Sequence, residues 1–415
     1  MIIASRVMRR AALATTALAL VACNMDVVNP GVIDASQFNP SGDAATLSLS
    51  AQSNFYKAFT GSAYWSAFFS SEAVPGVVRQ ETNDVGRRVA TSATSDVGNA
   101  WALLQRSLAT NDLAAATLVK GPSAANDINL ARAYMNAGFS LILIAETYCQ
   151  GDILVGPPLT PAQMLDSAIA RFKLGVTVGA AAATAGAVEG TKVASASNVG
   201  LARASLQKKD YAGASTYAAL VPAAFVFNAV TVDDASNRAL GNSTYAFDIG
   251  SNSIVVPDAY RALNDPRVPW KDALKKAQDT GLEYYQQLKY TGYATPMRVA
   301  SGLEASYIAA EAQLQTGNSA AALTLIATRR AANAQPAFTG TTPAAILAEL
   351  MDQRAREFWM EMKHLGDWQR NPAATPYVGA AGSPYFKPVQ GNFGTATCLP
   401  VPASEIAANP NFPKV

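Results

Sequence analysis

Apolar residues recur at helical spacing over much of the chain. The stretch TPAQMLDSAIARFKLGVTVGAA opens with Thr160 as a candidate N-cap and Pro161 at the first helical position, a pairing typical of a helix start. Its apolar side chains follow at helical spacing, at Met164, Leu165, Ile169 and Phe172. A second stretch, Asp127–Tyr148, carries a wide apolar stripe and ends near Gly151. The pattern predicts a mainly α fold.

Two segments have the pattern of a helical hairpin. VGLARASLQKKDYAGASTYAALVP breaks at Lys209-Asp210 and then resumes, and ASYIAAEAQLQTGNSAAALTLIATRRAAN breaks at Gly317-Asn318. Each places two small residues twelve positions apart, where they let its helices approach closely: Ala202 with Ala214, and Ala310 with Ala322. This spacing resembles the tetratricopeptide pattern. The stretch Asp127–Tyr148 is a candidate helix of a further unit, and ordinary pairing of Ala-rich helices is the alternative.

Residues 223–297, between the two hairpins, lack a clear period. The segment is rich in Asn, Asp, Pro and aromatic residues. Its aromatic residues are Tyr245, Phe247, Tyr260, Trp270, Tyr284, Tyr285, Tyr290 and Tyr293. We expect long loops with short helices laid over the helical scaffold. Loops on a rigid base are common positions for binding residues.

The N-terminus has its own pattern. Three arginines before position 11 precede Ala11–Ala22, an uncharged run of twelve residues. A membrane span needs about twenty residues, so this run fits a secretory signal peptide instead. It ends in Leu20-Val21-Ala22-Cys23, which resembles a bacterial lipobox, where the Cys becomes the lipidated N-terminus. The alternative is a plain signal peptide with Cys23 present by chance.

The chain therefore divides into three expected parts. Residues 1–22 are the signal peptide, 23–40 a tether from the lipid, and 41–415 a single α-helical domain with the loop-rich region at about 223–297. We expect no later stretch to be long and uninterrupted enough to cross a bilayer.

Composition excludes several classes of function. The 415 residues include 32 Lys plus Arg and 30 Asp plus Glu, so a net charge of +2 gives no reason to expect nucleic acid. The single histidine, His364, excludes a His-rich metal site, and any His-based triad would have to use it. No CxxC is present among the three cysteines. We expect neither a metal nor a cofactor.

Export of the protein would determine the redox state of its two remaining cysteines. With Cys23 lipidated, Cys149 and Cys398 remain in an oxidising compartment where disulfide bonds persist. They are a candidate disulfide pair, and two buried free thiols are the alternative.

Several segments together resemble the SusD/RagB family of outer-membrane lipoproteins. ILAELMDQRAREFWMEMKHLGDWQRN is similar to the family's ER-x-x-E-F segment with its following E-G-x-R and D-L-x-R, and CLPVPASEIAANPNF to its closing P-I-P-x-x-E-I-x-x-N-P. DPRVP, MRVASGLEASYIAAEAQLQTGN and ARAYMNAGFSLILIAETYCQGD resemble further family segments, the second with Arg298, Glu311 and Gly317 in register. Met362 stands where the family usually has Gly, and His364 where it often has Arg.

The resemblance implies a fold and a function. Family members are helical proteins with tetratricopeptide-type hairpins and are not enzymes. They are lipid-anchored on the outer membrane, exposed at the surface, and sit on a TonB-dependent (SusC-like) transporter. They bind a nutrient, commonly a glycan oligosaccharide, and help deliver it to the barrel. Two alternatives are a tetratricopeptide scaffold lipoprotein that binds only protein, and a lipid-anchored glycoside hydrolase.

Sugar binding directs attention to aromatic and polar side chains. The apolar C–H face of a pyranose stacks on Trp or Tyr, while polar side chains satisfy its hydroxyls. The candidate ligand-binding residues are Tyr64, Trp65, Asn83, Asp84, Trp270, Tyr284 and Tyr290. Core packing or a partner interface is the alternative for the aromatic ones. Arg79, Arg87 and Arg88 would favour an anionic ligand, or else form a solvated surface.

The charged segment 352–370 has two interpretations. Glu357 and Glu361 are four residues apart and share a helix face, as an acid/base pair of a hydrolase would require. We favour the other interpretation, an ion-pair network that fixes the last helix against the hairpins. His364 is expected to be a helix-end residue rather than a base.

Overall fold

The expected helices form most of the structure, a computed structural model that describes residues 43–413. The expected signal peptide, the expected tether and Cys23 lie outside the described residues. The helices are α1 (Ala44–Phe69), α2 (Gln80–Gly86), α3 (Ser95–Leu118), α4 (Ile128–Thr147), α5 (Pro161–Thr184), α6 (Gly190–Gln207), α7 (Tyr211–Ala218), α8 (Ser243–Ser251), α9 (Asp258–Arg261), α10 (Gly302–Gln315), α11 (Ala320–Ala332), α12 (Pro343–Glu357), α13 (His364–Arg370) and α14 (Ala403–Ala408). The strands are β1 (Val74–Pro75), β2 (Val226–Ala229), β3 (Ile254–Val255), β4 (Trp270–Lys276), β5 (Glu283–Gln287) and β6 (Met297–Ser301).

Local capping explains where the central helices begin. The Thr160 side chain accepts a hydrogen bond from the Gln163 backbone N–H, and the Gln163 side-chain oxygen accepts one from the Thr160 backbone N–H. This capping box satisfies two N–H groups that have no partner inside the helix. The Asp127 carboxylate likewise caps α4 by accepting from the Asn129 backbone N–H at 2.8 Å. Both helix starts agree with the sequence.

The hydrophobic core lies among α1, α3, α4, α5 and α6. The ring of Phe172 on α5 packs where Gly138 of α4 and Gly200 of α6 leave room, since a Cβ on either glycine would lie within 2.7 Å of the ring. Helix α4 is, by length and composition, the one helix in residues 43–413 able to cross a membrane, which the sequence pattern did not predict. Most of it is buried inside the fold, as expected for a core helix.

Both predicted hairpins are present. Helices α6 and α7 pack together across a turn in which Lys209 is left-handed, and α10 and α11 pack across Gly317, also at positive φ. The four alanines that the pattern singled out are buried where the paired helices meet, at Ala202, Ala214, Ala310 and Ala322. The mainly α fold with tetratricopeptide-type hairpins is confirmed.

The region 223–297 differs from its prediction. It contains strands β2 to β5 as well as short helices, where we expected loops and short helices only. One sheet has the order β1-β3-β5-β4, and β2 pairs with β6 in a second. These strands are two to seven residues long, and register shifts interrupt the pairings of β2 with β6 and of β4 with β5. Such short, irregular strands leave too few residues for a period of two to be visible in sequence.

The charged segment forms the expected ion-pair network. Arg354 bonds Asp367 at 2.6 Å, and Arg370 holds the Glu311 carboxylate with two hydrogen bonds of 2.6 and 2.7 Å. The Arg354, Asp367 and Glu311 side chains are almost fully buried. The network therefore joins α12 and α13 to the hairpin helix α10.

A disulfide bond joins Cys149 and Cys398, with the Cα atoms 5.1 Å apart. Backbone hydrogen bonds flank it, from Leu399 N to the Thr147 carbonyl at 2.8 Å and from Cys149 N to the Leu399 carbonyl at 2.9 Å. The bond therefore ties the C-terminal segment to the end of the core helix α4.

Glu72, a buried residue, forms hydrogen bonds with the segment that connects α12 and α13. Glu72 accepts a hydrogen bond from the Met360 backbone N–H at 2.8 Å, and the Trp359 indole donates to the Glu72 carbonyl at 2.9 Å. Met360 and Met362 both have left-handed backbone conformations. Glycine adopts positive φ without steric cost, so both methionines occupy conformations that glycine reaches more easily. Burial raises the pKa of Glu72 to about 7, although the Met360 N–H and Lys289 act in the opposite direction.

Stability should depend on pH through Glu72. The folded-state pKa of Glu72 lies above the ordinary 4.5, so folding favours the protonated carboxyl group. The stability that Glu72 contributes to the fold is therefore fully present below pH 4.5 and is lost as the pH rises through about 7. Glu72→Gln keeps the acceptor for Met360 and removes the titration. We expect the melting temperature of the variant, relative to the unmodified protein, to rise between about pH 5 and about pH 8.5. An equal difference at both pH values would contradict this assignment.

Loss of the disulfide should destabilise the fold. The bond spans 249 residues, and closing so long a loop lowers the entropy of the unfolded chain. We expect Cys398→Ser to reduce the free energy of unfolding in urea by about 2–5 kcal/mol. A reductant should reproduce the loss in the unmodified protein and leave the variant unchanged. Alkylation of both Cys149 and Cys398 without reductant, seen by peptide mass, would refute the bond.

Candidate functional site

Two partly exposed aromatic rings stack face to face at the junction of α1 and α8. The centroids of Tyr64 and Phe247 are 4.3 Å apart with an interplanar angle of 5°. Trp65 packs beside them, 4.8 Å from Tyr64, with 4% of its surface exposed. We call the pair Tyr64 and Phe247 the aromatic platform. In this stack each ring covers one face of the other, so a sugar ring can stack only on a face that the partner ring leaves open.

The two helices that carry the platform are joined one turn away from it. Thr244 on α8 donates its hydroxyl to the Thr60 carbonyl of α1 at 2.6 Å. Thr60 comes four residues before Tyr64, and Thr244 three residues before Phe247. This buried hydrogen bond therefore fixes the register in which the two rings meet.

Asp248, the residue after Phe247, anchors α8 to the sheet. Its carboxylate accepts hydrogen bonds from the Tyr284 hydroxyl at 2.8 Å, the Gln287 amide at 3.1 Å and the Ile254 backbone N–H at 3.1 Å. Burial raises the pKa of Asp248 to about 6, and these hydrogen bonds limit the rise. Strands β3 and β5 thus hold the helix that presents Phe247.

A cluster of polar side chains joins the N-terminal ends of α2 and α3. The Asp96 carboxylate accepts from the Thr82 hydroxyl at 2.5 Å, from Arg79 at 3.2 Å and from the Asn99 amide at 3.3 Å. We use the name polar rim for Arg79, Asp96 and Asn99. Burial and the charge of Asp96 raise the pKa of Tyr64 above its ordinary range, while Arg79 lowers it.

Asn83 orients this rim from inside the protein. Its side-chain amide donates to the carbonyls of Val77 at 3.0 Å and Arg79 at 2.8 Å. Asn83 has no exposed surface, so the expected ligand contact is not supported, and its role is to position Arg79. Asp84 is half-buried and accepts from Gln80 at 2.7 Å and from Arg87 at 3.5 Å.

A cleft of about 390 Å³ continues from the rim. It lies between the start of α3 and the C-terminal segment, where the Ala403 backbone N–H donates to the Ser92 carbonyl at 2.8 Å. Its lining is Ser92, Ala93, Thr94, Ser95, Gly98, Asn99, Pro402, Ala403 and Ser404. Hydroxyl and amide groups in such a cleft can exchange hydrogen bonds with the hydroxyls of a sugar.

The other predicted aromatic residues do not join the platform. Tyr284 and Tyr290 are buried, and their hydroxyls donate to Asp248 at 2.8 Å and to the Met360 carbonyl at 3.1 Å. Trp65 is also in the core. The prediction that these three rings contact ligand is therefore not supported, since a buried ring cannot stack on a sugar without rearrangement.

Trp270 belongs to a second, separate aromatic pair. It meets Tyr285 edge to face at 5.8 Å, and the Arg261 guanidinium lies over both rings, 3.5 Å from the Tyr285 centroid. Arg261 also pairs with Asp258. The guanidinium covers one face of Tyr285, as Phe247 covers one face of Tyr64 in the platform.

Sequence reasoning missed four members of the site. Phe247, Asp96 and Asn99 were not candidates, and Arg79 was considered only as a nearby cation. Position alone does not distinguish Phe247 from the other aromatic residues of its region. The proximity of Asp96 to Tyr64 comes from the packing of α3 against α1 and has no local signal.

The hydrolase interpretation finds no support in the geometry. The Glu361 carboxylate is 3% exposed and pairs with Lys289 at 2.7 Å and Arg298 at 2.8 Å. Burial alone would raise the pKa of Glu361, but these two cations outweigh it and lower it. Glu357 is held by Arg329 at 2.6 Å. Both carboxylates act as structural partners.

His364 is the first residue of α13 and is enclosed in the core. Its ring meets the ring of Tyr260 edge to face, and burial lowers the pKa of the imidazole to about 4. The ring is 2% exposed, so a substrate cannot reach it. Within residues 43–413, no group of three or more His, Cys, Asp or Glu side chains is placed to hold a metal ion.

Solved structures with this fold are numerous, whereas no protein-family model and no curated protein matches the chain. A SusD/RagB family protein from Bacteroides thetaiotaomicron covers 87% of this chain and 94% of its own length, with 14% identity and a TM-score of 0.65. A SusD-like carbohydrate binding protein from Bacteroides vulgatus covers 91% and 99%, with 13% identity and a TM-score of 0.66. Surface glycan-binding protein A from Bacteroides uniformis covers 90% and 99%, with 13% identity and a TM-score of 0.65.

These likenesses define the architecture. The described residues have the SusD/RagB fold, and the similarity extends over most of this chain and nearly all of each matched chain. The resemblance found in short sequence segments is therefore confirmed at the level of the fold. At sequence identities of 13–14%, these structures establish the fold and do not identify a ligand for this chain.

Proposed function

We propose that this protein is a SusD-like outer-membrane lipoprotein that binds a nutrient glycan and delivers it to a TonB-dependent, SusC-like transporter. It acts as a binding protein and not as an enzyme. Cys23 carries the lipid anchor, and the domain faces the cell exterior. The observation that carries the proposal is the aromatic platform with its polar rim, on a fold shared with proteins described as carbohydrate binding.

The chemistry of the site fits a sugar. Tyr64 and Phe247 are both partly exposed, and a pyranose ring would lose water from its C–H face by packing on a ring face that the stack leaves open. Arg79 and Asn99 are exposed and supply a cation and an amide for the ring hydroxyls, while the buried Asp96 carboxylate holds both of them. The neighbouring cleft provides room for further sugar units, so the natural ligand is an oligosaccharide.

Fixed geometry supports binding. The platform is held by Thr60–Thr244, by Asp248 and by the disposition of α1 in the core. Few side chains have to be ordered when a ligand arrives, which lowers the entropic cost of association. A preformed site of this kind suits a protein that captures nutrients at low concentration.

Separate observations support the proposed lipid anchor and the proposed transporter partner. The lipobox-like Leu20-Val21-Ala22-Cys23 argues for lipidation, and attachment to a membrane keeps a captured glycan near the barrel. The fold shared with SusD/RagB proteins supports a SusC-like partner.

Removing either platform ring should weaken glycan binding. Once an array has identified a bound oligosaccharide, we expect Tyr64→Ala and Phe247→Ala each to raise its Kd about thirty-fold, as for a central aromatic contact of about 2 kcal/mol. Isothermal titration measures the effect. Trp270→Ala, which alters the second aromatic pair, is the matched control and should bind normally. The reverse result, with loss only in the Trp270 variant, would move the site to that pair.

The lipidated protein should co-purify with an outer-membrane barrel. We expect extraction in mild detergent to recover both proteins, and Cys23→Ser to release the protein from the membrane fraction. Mass spectrometry of the purified material identifies the partner. Recovery without a barrel partner, together with failure to bind any glycan, would favour a scaffold lipoprotein that binds only protein.

A further inference from the structure

A pocket of about 180 Å³ opens between the first half of α1 and the segment that follows β2. One wall is a single face of α1, whose residues are spaced three or four apart: Leu49, Gln52, Ser53, Tyr56 and Lys57. Residues 230–232 and 239–241 form the opposite wall. We call this cavity the Lys57 pocket. It lies two helical turns before the platform residue Tyr64 and shares no residue with the platform or the polar rim.

The wall opposite α1 is fixed by hydrogen bonds. The Val232 backbone N–H donates to the Leu240 carbonyl at 3.0 Å, which closes the loop between residues 232 and 240. The Thr231 hydroxyl donates to the Thr295 carbonyl at 3.2 Å, and the Asn242 amide donates to the same carbonyl at 2.8 Å. The pocket is therefore formed before any ligand arrives, which lowers the entropic cost of binding.

Large apolar side chains stand exposed around the pocket. The exposed fractions are 59% for Leu49, 60% for Val230, 52% for Val232 and 38% for Leu240. A single exposed apolar side chain is ordinary, but four that line one cavity form a patch from which a ligand can remove water. The apolar part of a ligand would be stabilised there.

Lys57 brings an unpaired charge to this cavity. The other lysines of residues 43–413 that are at least partly buried each donate to a backbone carbonyl and pair with a carboxylate: Lys289, Lys363 and Lys387. The partly buried Lys57 has neither kind of partner for its ammonium group among the described residues. A cation that is partly removed from water favours an anion as its partner.

We propose that the Lys57 pocket binds a small carboxylate with an apolar body, the carboxylate on the Lys57 ammonium and the body against Val230, Val232 and Leu240. A volume of about 180 Å³ is below that of sites for drug-sized ligands and holds about six groups of about 30 Å³ each. A chain of about six carbon atoms therefore fits it. This site goes beyond the proposed function, because its ligand is neither a glycan nor bound at the platform.

Titration of methyl-labelled protein with hexanoate at pH 7 tests the proposal by nuclear magnetic resonance. We expect saturable shifts of the valine and leucine methyl signals that line the pocket. Hexan-1-ol has a similar apolar body without the charge, and it should bind on the order of ten- to a hundred-fold more weakly, as for the loss of a charged hydrogen bond. Lys57→Met should weaken hexanoate binding by a similar factor and leave glycan binding unchanged.

Lys173→Met is the matched control, because Lys173 is exposed on α5 and does not line the pocket. It should bind hexanoate normally. If circular dichroism shows that Lys57→Met is unfolded, Val232→Asn replaces it and should bind hexanoate several-fold more weakly. Equal affinities for hexanoate and hexan-1-ol, methyl shifts only outside the pocket, or no shifts at all overturn the inference. None of these results affects the proposed function, which is tested on the platform with a glycan.

Discussion

The relative positions of the helical hairpins depend on the contacts of one buried group, the guanidinium of Arg203. From α6 it donates to the Glu146 carboxylate of α4 and to the Met362 carbonyl before α13, and it lies 3.8 Å from Glu304 of α10. All of these groups are almost fully excluded from water. Charges buried in this way are tolerated only with well-placed partners, so the helices that supply the partners cannot shift independently. Whether the network adds net stability is secondary to this geometric role.

The candidate site uses that rigidity. Helix α1 presents Tyr64 from the core, and α8 brings Phe247 to it through Thr60–Thr244. Asp248 then connects α8 to the sheet, so the region that follows the first hairpin is held against the scaffold at the same point. A site built on packed helices, with the aromatic rings fixed before a ligand arrives, depends on few mobile loops.

Much of the scaffold could be predicted from sequence because its signals are local. The capping box at Thr160, the turns at Lys209 and Gly317, and the small residues inside the hairpins each act within a few neighbouring positions. The candidate site was predicted less well. Tyr64 was found, but its stacking partner is 183 positions away in the chain, and Trp65, one residue later, points into the core. A single helix gives adjacent residues different environments, and sequence does not show which neighbour will cover each of them.

By itself, the sequence determined the helical class, the hairpins, the charged segment that pairs internally, and the family that the chain resembles, because periodicity, capping and short motifs are properties of neighbouring residues. Only the tertiary structure decided that Asn83, Tyr284 and Tyr290 are interior residues, that Phe247 stacks on Tyr64, and that Arg79 and Asn99 both bond Asp96. Those assignments depend on burial and on contacts between distant segments. Both are set by how the helices and short strands pack, since a side chain's exposure is a property of its surroundings and not of its position in the chain.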